Sequence, residues 1–219
     1  MYHNPNKNII IDNKYIYEPK ETNFLIKILS KYDTFIDIGS HQGYYSYLAS
    51  KYCKLVYSIE PLKEFYNEIN YHIKLNSIKN IILINQGLGN GKTIKYGNYL
   101  QIKSFQTKKF KDFYNENKIY GSCLLKIDVD GFEKNLIEGC EDLLKNKNID
   151  IIMDIYFDRI HNGYDLLDVM KSTYQNAYLL KENDFKNNYL IENLNKYEFK
   201  INESKNNKIY SFFFSNKSI

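Results

Sequence analysis

Tryptophan is absent from this chain of 219 residues, alanine occurs only twice, and the single arginine, Arg159, stands against 29 lysines. Asparagine is abundant instead, with 28 residues. Residues with GC-rich codons are depleted and those with AT-rich codons are enriched, so the composition indicates an AT-rich genome. The net charge of +4 therefore argues only weakly for nucleic-acid binding, because proteins that hold phosphates usually use arginine and its paired hydrogen bonds.

The three cysteines are far apart and show neither CxxC nor Cys/His spacing, which argues against structural zinc and a disulfide scaffold. No apolar run approaches the ~20 residues that span a bilayer, and the first residues lack the pattern of a secretory signal. We therefore expect a cytoplasmic protein with no membrane partner. The length predicts one domain over residues 1–219, with a lead-in at 1–30 and substrate-side and sheet-edge segments at 156–219.

Short apolar runs alternate with stretches of helical periodicity such as Lys63–Leu75 and Phe132–Leu144. This alternation predicts an α/β fold in which a parallel sheet is covered by helices on both faces. The predicted buried strands are Thr34–Ile38, Leu55–Ile59, Ile81–Asn85, Cys123–Asp128 and Ile149–Ile155.

Two further strands are predicted near the carboxyl end of the chain, Ala177–Leu180 and Lys208–Phe214. Paired antiparallel, they would complete a mostly parallel sheet of seven strands and close its edge. A lead-in helix is predicted at Glu18–Leu29 and another helix at Tyr164–Tyr174. The least readable stretch, Gly89–Asn117, is expected to hold a hairpin or loop followed by a short helix.

The loop after the first predicted strand reads DIGSHQG, from Asp37 to Gly43. Ligands of open α/β sheets bind at the carboxyl ends of the strands, where glycines let the backbone approach them. A pyrophosphate loop reads GxGxxG, whereas this loop reads DxGxxxG. A carboxylate at Asp37 would repel a pyrophosphate and attract an α-ammonium group, which favours S-adenosylmethionine (SAM) over NAD. The alternative role for Asp37 is that of a turn or helix-capping carboxylate.

The next two strands end in further candidate binding residues. Glu60 follows the second strand, where an acid can accept hydrogen bonds from both ribose hydroxyls of either cofactor. The third strand ends in Gln86 and Gly87, which are expected beside an adenine ring as a side-chain and a backbone contact. A plain strand-to-loop turn is the alternative at this place.

The fourth strand lies in CLLKIDVDGFEKNLIEGCEDLL and carries Lys126 and Asp128 on one side of its pleat. Asp128 is placed at the carboxyl end, facing both the donor methyl and an acceptor. It could orient or deprotonate a hydroxyl, or it could only position the amino-acid end of SAM. Lys126 is expected to pair with a carboxylate, Asp128 or Glu133.

These segments resemble the FkbM family of SAM-dependent methyltransferases over about residues 30–155. The matching text is FIDIGSHQGYYSYLAS, VYSIEP, INQGLGN and LLKIDVDGFEKNLIEGCEDLL, against a family pattern of DIGANxGxxS, xxFEP and LKIDVEGxExxVLxGA. The resemblance implies a class I, Rossmann-like methyltransferase fold and methyl transfer, usually to a hydroxyl of a sugar or small molecule. With the resemblance, Ser40 joins Gly39 and Gly43 of the same loop among the residues expected at the cofactor. Ser40 and His41 replace the usual Ala-Asn pair.

Acidic residues also surround the predicted active-site rim. Asp130 and Asp154 replace the more usual glutamates and shorten the reach of the charge. With Asp158 they could bind Mg²⁺, but the usual neighbouring asparagine is missing and no metal site is predicted. In the segment after the fifth strand, His161 is a base, a substrate contact or a solvated loop residue. Asp128, Asp154 and His161 are the catalytic candidates.

Three other functions stay open at this stage. An RNA-modifying methyltransferase would use the same cofactor and predicts a basic, aromatic groove. A metal-dependent glycosyltransferase would use LLKIDVDG as a DxD motif, which leaves the residues at cofactor spacing unexplained. A SAM-fold protein that has lost catalysis would serve as the subunit of a partner enzyme. A small-molecule or glycan acceptor is the favoured partner, and the oligomeric state cannot be read.

Overall fold

A computed structural model describes residues 17–98, 101–158, 163–183, 188–194, 199–200 and 209–217. The helices are α1 (Pro19–Ile28), α2 (Tyr44–Ala49), α3 (Lys63–Leu75), α4 (Phe110–Glu116), α5 (Glu133–Glu138), α6 (Glu141–Leu144) and α7 (Gly163–Thr173). The strands are β1 (Thr34–Ile38), β2 (Leu55–Ile59), β3 (Ile81–Ile84), β4 (Gly87–Gly89), β5 (Thr93–Asn98), β6 (Gln101–Lys109), β7 (Cys123–Ile127), β8 (Ile149–Tyr156), β9 (Asn176–Asn183), β10 (Asn188–Asn193) and β11 (Ile209–Ser215).

Eight of these strands form the main sheet in the order β10-β9-β11-β8-β7-β1-β2-β3. The five strands from β3 to β8 in this order run parallel, and β11 lies antiparallel between β8 and β9. After β1 the chain adds β2 and β3 on one side and later adds β7 and β8 on the other. The strand order therefore reverses between β1 and β7, and such a reversal opens a crevice at the carboxyl ends of the strands.

The central strands are buried on both faces. Every residue of β1 and of β7 is buried, as expected for parallel strands covered on both sides. Because alternate side chains point to opposite faces, Ile36 belongs to the apolar core of one face and Phe35 to that of the other. The predicted α/β fold of class I methyltransferase type is thus confirmed.

The carboxyl-terminal half of the sheet agrees with the prediction in its pairing and differs in strand number. The two predicted strands, within β9 and β11, pair antiparallel, and β11 joins this pair to β8. The sheet has eight strands rather than seven, because the polar segment of β10 forms an additional edge strand beside β9. The apolar sequence IYSFFFS of β11 suits its interior place, since five of its seven residues are buried.

The helix predicted over Phe132–Leu144 is interrupted at Gly139 and Cys140, which separate α5 from α6. A Cβ atom on Gly139 would lie 1.9 Å from the carbonyl oxygen of Gly89. The two backbones therefore approach as closely as glycine allows, and glycine is also a poor residue for a helix interior. The apolar periodicity of the sequence continues past Gly139, so the sequence pattern predicts one uninterrupted helix.

The stretch between Gly89 and Asn117 holds a hairpin followed by a short helix, as predicted. Strands β5 and β6 form the hairpin, β4 pairs in parallel with β6, and α4 follows. The resulting small sheet places Ile94 and Phe105 beside the crevice at the strand ends. Within the described ranges, no helix is long and apolar enough to cross a membrane.

Candidate functional site

An open cleft lies at the carboxyl ends of β1, β2 and β7, where the strand order reverses. The sequence predicted five of its lining residues: Gly39, Glu60, Gln86, Gly87 and Asp128. It missed the apolar part of the lining, to which Phe65, Leu88, Ile94, Phe105 and Phe132 contribute.

Glu60 lies at the base of the cleft with both carboxylate oxygens fixed. Its Oε2 accepts the backbone N–H of His41 at 2.9 Å, and its Oε1 accepts that of Leu62 at 2.8 Å. Burial raises the pKa of Glu60 to about 7, although these two hydrogen bonds act to lower it. Each carboxylate oxygen can still accept from a ligand hydroxyl. The arrangement suits a diol that approaches from the cleft.

Gly39 brings the two walls of the cleft together. Its φ is +83°, and a Cβ at this position would lie 2.0 Å from the backbone carbonyl oxygen of Asp128. The backbone N–H of Asp128 also donates to the carbonyl of Ile38 at 3.1 Å. Only glycine combines this backbone conformation with so close an approach. The loop after β1 therefore lies directly against the end of β7.

The Asp128 carboxylate is held from two sides. Tyr156 donates its hydroxyl to Oδ1 at 2.9 Å, and Lys126 donates from Nζ to Oδ2 at 3.1 Å. Burial alone would raise the pKa of Asp128, but the charge of Lys126 and these hydrogen bonds hold the pKa below its usual value. Asp128 is therefore an ionised, oriented carboxylate. The sequence missed Tyr156, although it lies two residues after Asp154 and thus on the same side of β8.

Asp154 lies behind this carboxylate in a drier environment. Its Oδ2 is 4.0 Å from Lys126 Nζ, and its Oδ1 has no hydrogen-bond partner among the residues described. Burial raises the pKa of Asp154 to about 7, and the neighbouring charge of Asp128 adds to the rise. Burial would lower the pKa of Lys126, but the surrounding carboxylates raise it above its usual value, so Lys126 stays charged.

Glu133, the other carboxylate expected to pair with Lys126, has a different place. It is fully buried, and its Oε1 accepts the backbone N–H groups of Gly131 at 3.0 Å and Val129 at 3.4 Å. Burial raises the pKa of Glu133 to about 7 against these hydrogen bonds. Glu133 thus fixes the turn that follows Asp128, and the ion pair of Lys126 forms with Asp128 instead.

Three of the predicted cofactor residues lie beneath the loop and outside the lining of the cleft. The Asp37 carboxylate is 2% exposed and accepts the Ser46 hydroxyl at 2.6 Å. Burial raises the pKa of Asp37 to about 6. Ser40 accepts a hydrogen bond from Ser58 at 2.9 Å, and Gly43, at φ +82°, precedes α2. These residues shape the loop, and a direct contact of Asp37 with a ligand ammonium stays a prediction.

The apolar wall of the cleft comes from the small sheet. The ring of Phe105 packs on Gly87, where a Cβ would lie 2.5 Å from a ring carbon. Gln86 donates from Nε2 to the carbonyl of Gln106 at 3.1 Å, which ties the end of β3 to the same sheet. A flat aromatic base fits such a wall, with Phe105 as the stacking surface. The sequence missed Phe105 because no periodicity linked the hairpin to the cleft.

The remaining predicted residues surround the rim or lie elsewhere. Asp130 lines the cleft in a left-handed conformation with φ 55°, and Asp158 is exposed. His161 falls outside the described residues. Over the part of the chain that the structure describes, no three His, Cys, Asp or Glu side chains converge as a metal-binding group.

Comparison with solved structures supports the fold. The chain resembles an rRNA methylase from Streptococcus thermophilus (TM-score 0.55, 12% identity, 93% of this chain and 99% of that one). It is also similar to a precorrin-6y C5,15-methyltransferase from Geobacter metallireducens (TM-score 0.53, 11% identity, 94% and 92% covered). No curated protein sequence matches the chain.

A methyltransferase FkbM from Methylobacillus flagellatus has a TM-score of 0.54 and 14% identity over 84% of this chain. The match spans 43% of the length of that protein. Independently, the family model of the methyltransferase FkbM domain matches residues 37–187, which is more than half of the chain and runs from the end of β1 past β8. The chain therefore belongs to the FkbM methyltransferase family.

Proposed function

We propose that this protein transfers a methyl group from SAM to a hydroxyl oxygen of a sugar, glycan or small metabolite. Membership of a methyltransferase family implies SAM as the donor. The observation that carries the proposal is that Glu60 and Asp128 face one cleft from opposite sides of the point where the strand order reverses.

The described residues suit the parts of SAM. Glu60, held by two backbone amides, would accept the two ribose hydroxyls. Phe105 and Leu88 would enclose the adenine, because a flat apolar base gains most from a flat apolar wall. Gly39 leaves room for the backbone to approach the ligand, and the nearby carboxylates of Asp128 and Asp37 favour a cationic ligand. Bound SAM would supply a methyl group on a positively charged sulfur.

In the reaction, the C–S bond breaks with its electron pair going to sulfur while the acceptor oxygen forms the new C–O bond. The leaving thioether is good, so placing the oxygen in line is the main task of the protein. Asp128, ionised and fixed by Lys126 and Tyr156, accepts a hydrogen bond from the acceptor hydroxyl and takes its proton as the new bond forms. Its lowered pKa makes it a weak base, so orientation is its larger contribution.

Asp154 supports this assignment as a second carboxylate. Its pKa of about 7 makes it a better proton acceptor than Asp128, but it lies buried behind Lys126. We propose that Asp154 mainly keeps Lys126 charged and in place. The ionised fraction of Asp154 then grows as the pH rises through about 7, which predicts higher activity on the alkaline side.

The charges around Asp128 favour a neutral or cationic acceptor. Among the described residues near it, carboxylates outnumber cations, and Lys126 is itself buried and paired. A phosphate backbone would meet repulsion here, which disfavours RNA. The glycosyltransferase alternative is disfavoured because the Lys126 ammonium lies 3.1 Å from Asp128 Oδ2, where a metal ion bound by the DxD motif would be needed.

Calorimetry with SAM and its demethylated product tests the cofactor assignment. We expect the wild type to bind with a Kd on the order of micromolar. Glu60→Gln should weaken binding about tenfold, because a charge-assisted hydrogen bond of about 1.5–3 kcal/mol is replaced by a neutral one of about 0.5–1.5 kcal/mol. Glu116→Gln, which removes an exposed carboxylate outside the cleft, is the matched control and should bind as the wild type does. A folded wild type that does not bind SAM refutes the proposal.

A further inference from the structure

A cluster of aromatic and acidic side chains lies against Lys126, the ion-pair partner of Asp128, outside the lining of the cleft. It consists of Tyr17, Glu18, Tyr44 and Tyr45, and we name it the tyrosine wall. The ring of Tyr17 meets those of Tyr44 and Tyr45 edge-on, with centroids 5.2 Å and 6.2 Å apart, and the latter two are 5.1 Å apart. None of the four residues lines the cofactor cleft.

The tyrosine wall is connected directly to the proposed reaction centre. Lys126 Nζ lies 4.5 Å from the centroid of the Tyr45 ring and 3.1 Å from Asp128 Oδ2. The Tyr45 hydroxyl donates to Glu18 Oε2 at 2.6 Å. Burial raises the pKa of Tyr17, the charge of Glu18 and a hydrogen bond between the two side chains raise it further, and the charge of Asp128 adds to the rise. Lys126 thus links the wall to Asp128.

The side chains of the wall differ in exposure in a way that suits binding. Tyr45 is 5% exposed and forms the base, whereas Tyr17 is 44% exposed and offers its ring to solvent. Glu18 stands in the left-handed region at φ 41° just before α1. That conformation costs energy in a residue other than glycine and persists only where the surroundings hold it. Here Thr22 donates its hydroxyl to the Tyr17 carbonyl at 2.6 Å, and α1 packs on β9, β10 and α2.

We propose that Tyr17 and Glu18 form the acceptor subsite and bind a neutral, hydroxyl-rich ring such as a sugar. The ring of Tyr17 packs on the apolar C–H face of the sugar, and the Glu18 carboxylate accepts from one of its hydroxyls. Asp128, which lines the cleft and is joined to the wall through Lys126, then receives the hydroxyl to be methylated. This inference rests on the proposed function. Both residues precede residue 37, where the family match begins, so the subsite lies outside the matched domain.

Donor and acceptor would thus approach Asp128 from different directions. The lining of the cleft carries Glu60 and the apolar wall, whereas the tyrosine wall carries three aromatic rings and one carboxylate and contains no basic side chain of its own. An in-line displacement needs the acceptor oxygen opposite the leaving sulfur. A subsite outside the cofactor cleft and adjacent to Asp128 provides that separation.

The test is transfer of a tritiated methyl group from SAM to methyl α-D-glucopyranoside, galactopyranoside and mannopyranoside, with glycerol 3-phosphate as the anionic probe. Tyr17→Ala should raise about tenfold the KM for whichever of these glycosides accepts the methyl group, as loss of an aromatic contact does. The kcat and the SAM Kd should stay within about twofold. Tyr17→Phe keeps the ring and should retain a KM near that of the wild type, and Glu18→Gln should raise the KM with the SAM Kd unchanged.

Tyr52→Ala is the matched control, because Tyr52 is an exposed tyrosine of similar accessibility (40%) that follows α2 and precedes β2, outside the wall. It should leave all three constants unchanged. An unchanged KM in Tyr17→Ala overturns the subsite, as does methylation of glycerol 3-phosphate in preference to the glycosides, or SAM binding without transfer to any glycoside. Failure of the wild type to bind SAM would instead overturn the proposed function, so the two failures are distinguishable.

Discussion

The buried carboxylate of Glu133 gives the sharpest prediction about stability. It is fully buried, its Oε1 accepts two backbone N–H groups, and its Oε2 has no partner among the described residues. Its pKa rises from 4.5 to about 7 on folding, mainly through burial. The folded state therefore binds this proton more tightly than the unfolded chain does. The corresponding stabilisation is complete below pH 4.5 and is lost as the pH rises through about 7.

The magnitude follows from the two pKa values. Each pKa unit corresponds to 1.36 kcal/mol, so ionisation of Glu133 costs about 3 kcal/mol of unfolding free energy between pH 4.5 and 8. Glu133→Gln has nearly the same shape and keeps an oxygen for the N–H groups of Val129 and Gly131, but it does not titrate. The variant should equal or fall slightly below the wild type at pH 4.5 and exceed it by about 2–3 kcal/mol at pH 8.

Urea unfolding at these two pH values measures the difference. Glu138→Gln, on the exposed face of the same helix α5, is the control and should change stability by the same small amount at both. The decisive quantity is the difference in unfolding free energy between Glu133→Gln and the wild type, and how this gap changes with pH. A gap of equal size at pH 4.5 and 8 would show that Glu133 does not titrate in this range, and the prediction would be wrong.

Three further predictions test the cleft. Gly39→Ala should lower the unfolding free energy by about 2–4 kcal/mol in urea unfolding, because the new Cβ combines a left-handed backbone with a contact 2.0 Å from the Asp128 carbonyl oxygen. The control is Gly91→Ala, at φ +87° with no atom nearer than 3.4 Å to the new Cβ, and it should lose less. Equal losses would show that the contact with Asp128 does not matter. Lys126→Met should lower the unfolding free energy by about 3–5 kcal/mol at pH 8, because it leaves buried carboxylates unpaired, and by less at pH 5. Thermal unfolding at both pH values measures the loss, and a loss that does not depend on pH would count against the ion pair. Phe105→Ala should weaken SAM binding about tenfold in calorimetry, the usual contribution of base–aromatic stacking, and unaltered affinity would remove Phe105 from the adenine site.

Most of the fold could be predicted from hydrophobic pattern alone. Five parallel strands were placed to within a residue or two at most ends, because residues buried on both faces leave continuous apolar runs such as TFIDI and IDIIMDI. The pattern failed where a contact distant in sequence intervened. Gly139 ends α5 against the backbone of Gly89, and the polar strand β10 exists because β9 offers it a free edge.

The site was predictable where a residue type and a strand end coincide. Glu60 and Asp128 each follow a buried strand, and both line the cleft. Asp37 lies within β1, one residue before its end, and its side chain lies beneath the loop, bonded to Ser46. The sequence therefore identifies which strand end a residue is near, but the pleat of the strand and the packing of the loop over it decide whether the side chain lines the cleft.

Local periodicity and spacing were enough to predict the main strands and helices along the chain, the motifs at the strand ends and the family to which these motifs point. Which side chains meet depends on the three-dimensional packing. Tyr156 reaches Asp128 across neighbouring strands, Phe105 reaches the cleft from a hairpin, and Tyr17 packs on Tyr45, which lies 28 residues later in the chain. Such contacts join residues far apart along the chain, and their directions are set by how helices and sheet pack together, which no short stretch of sequence encodes.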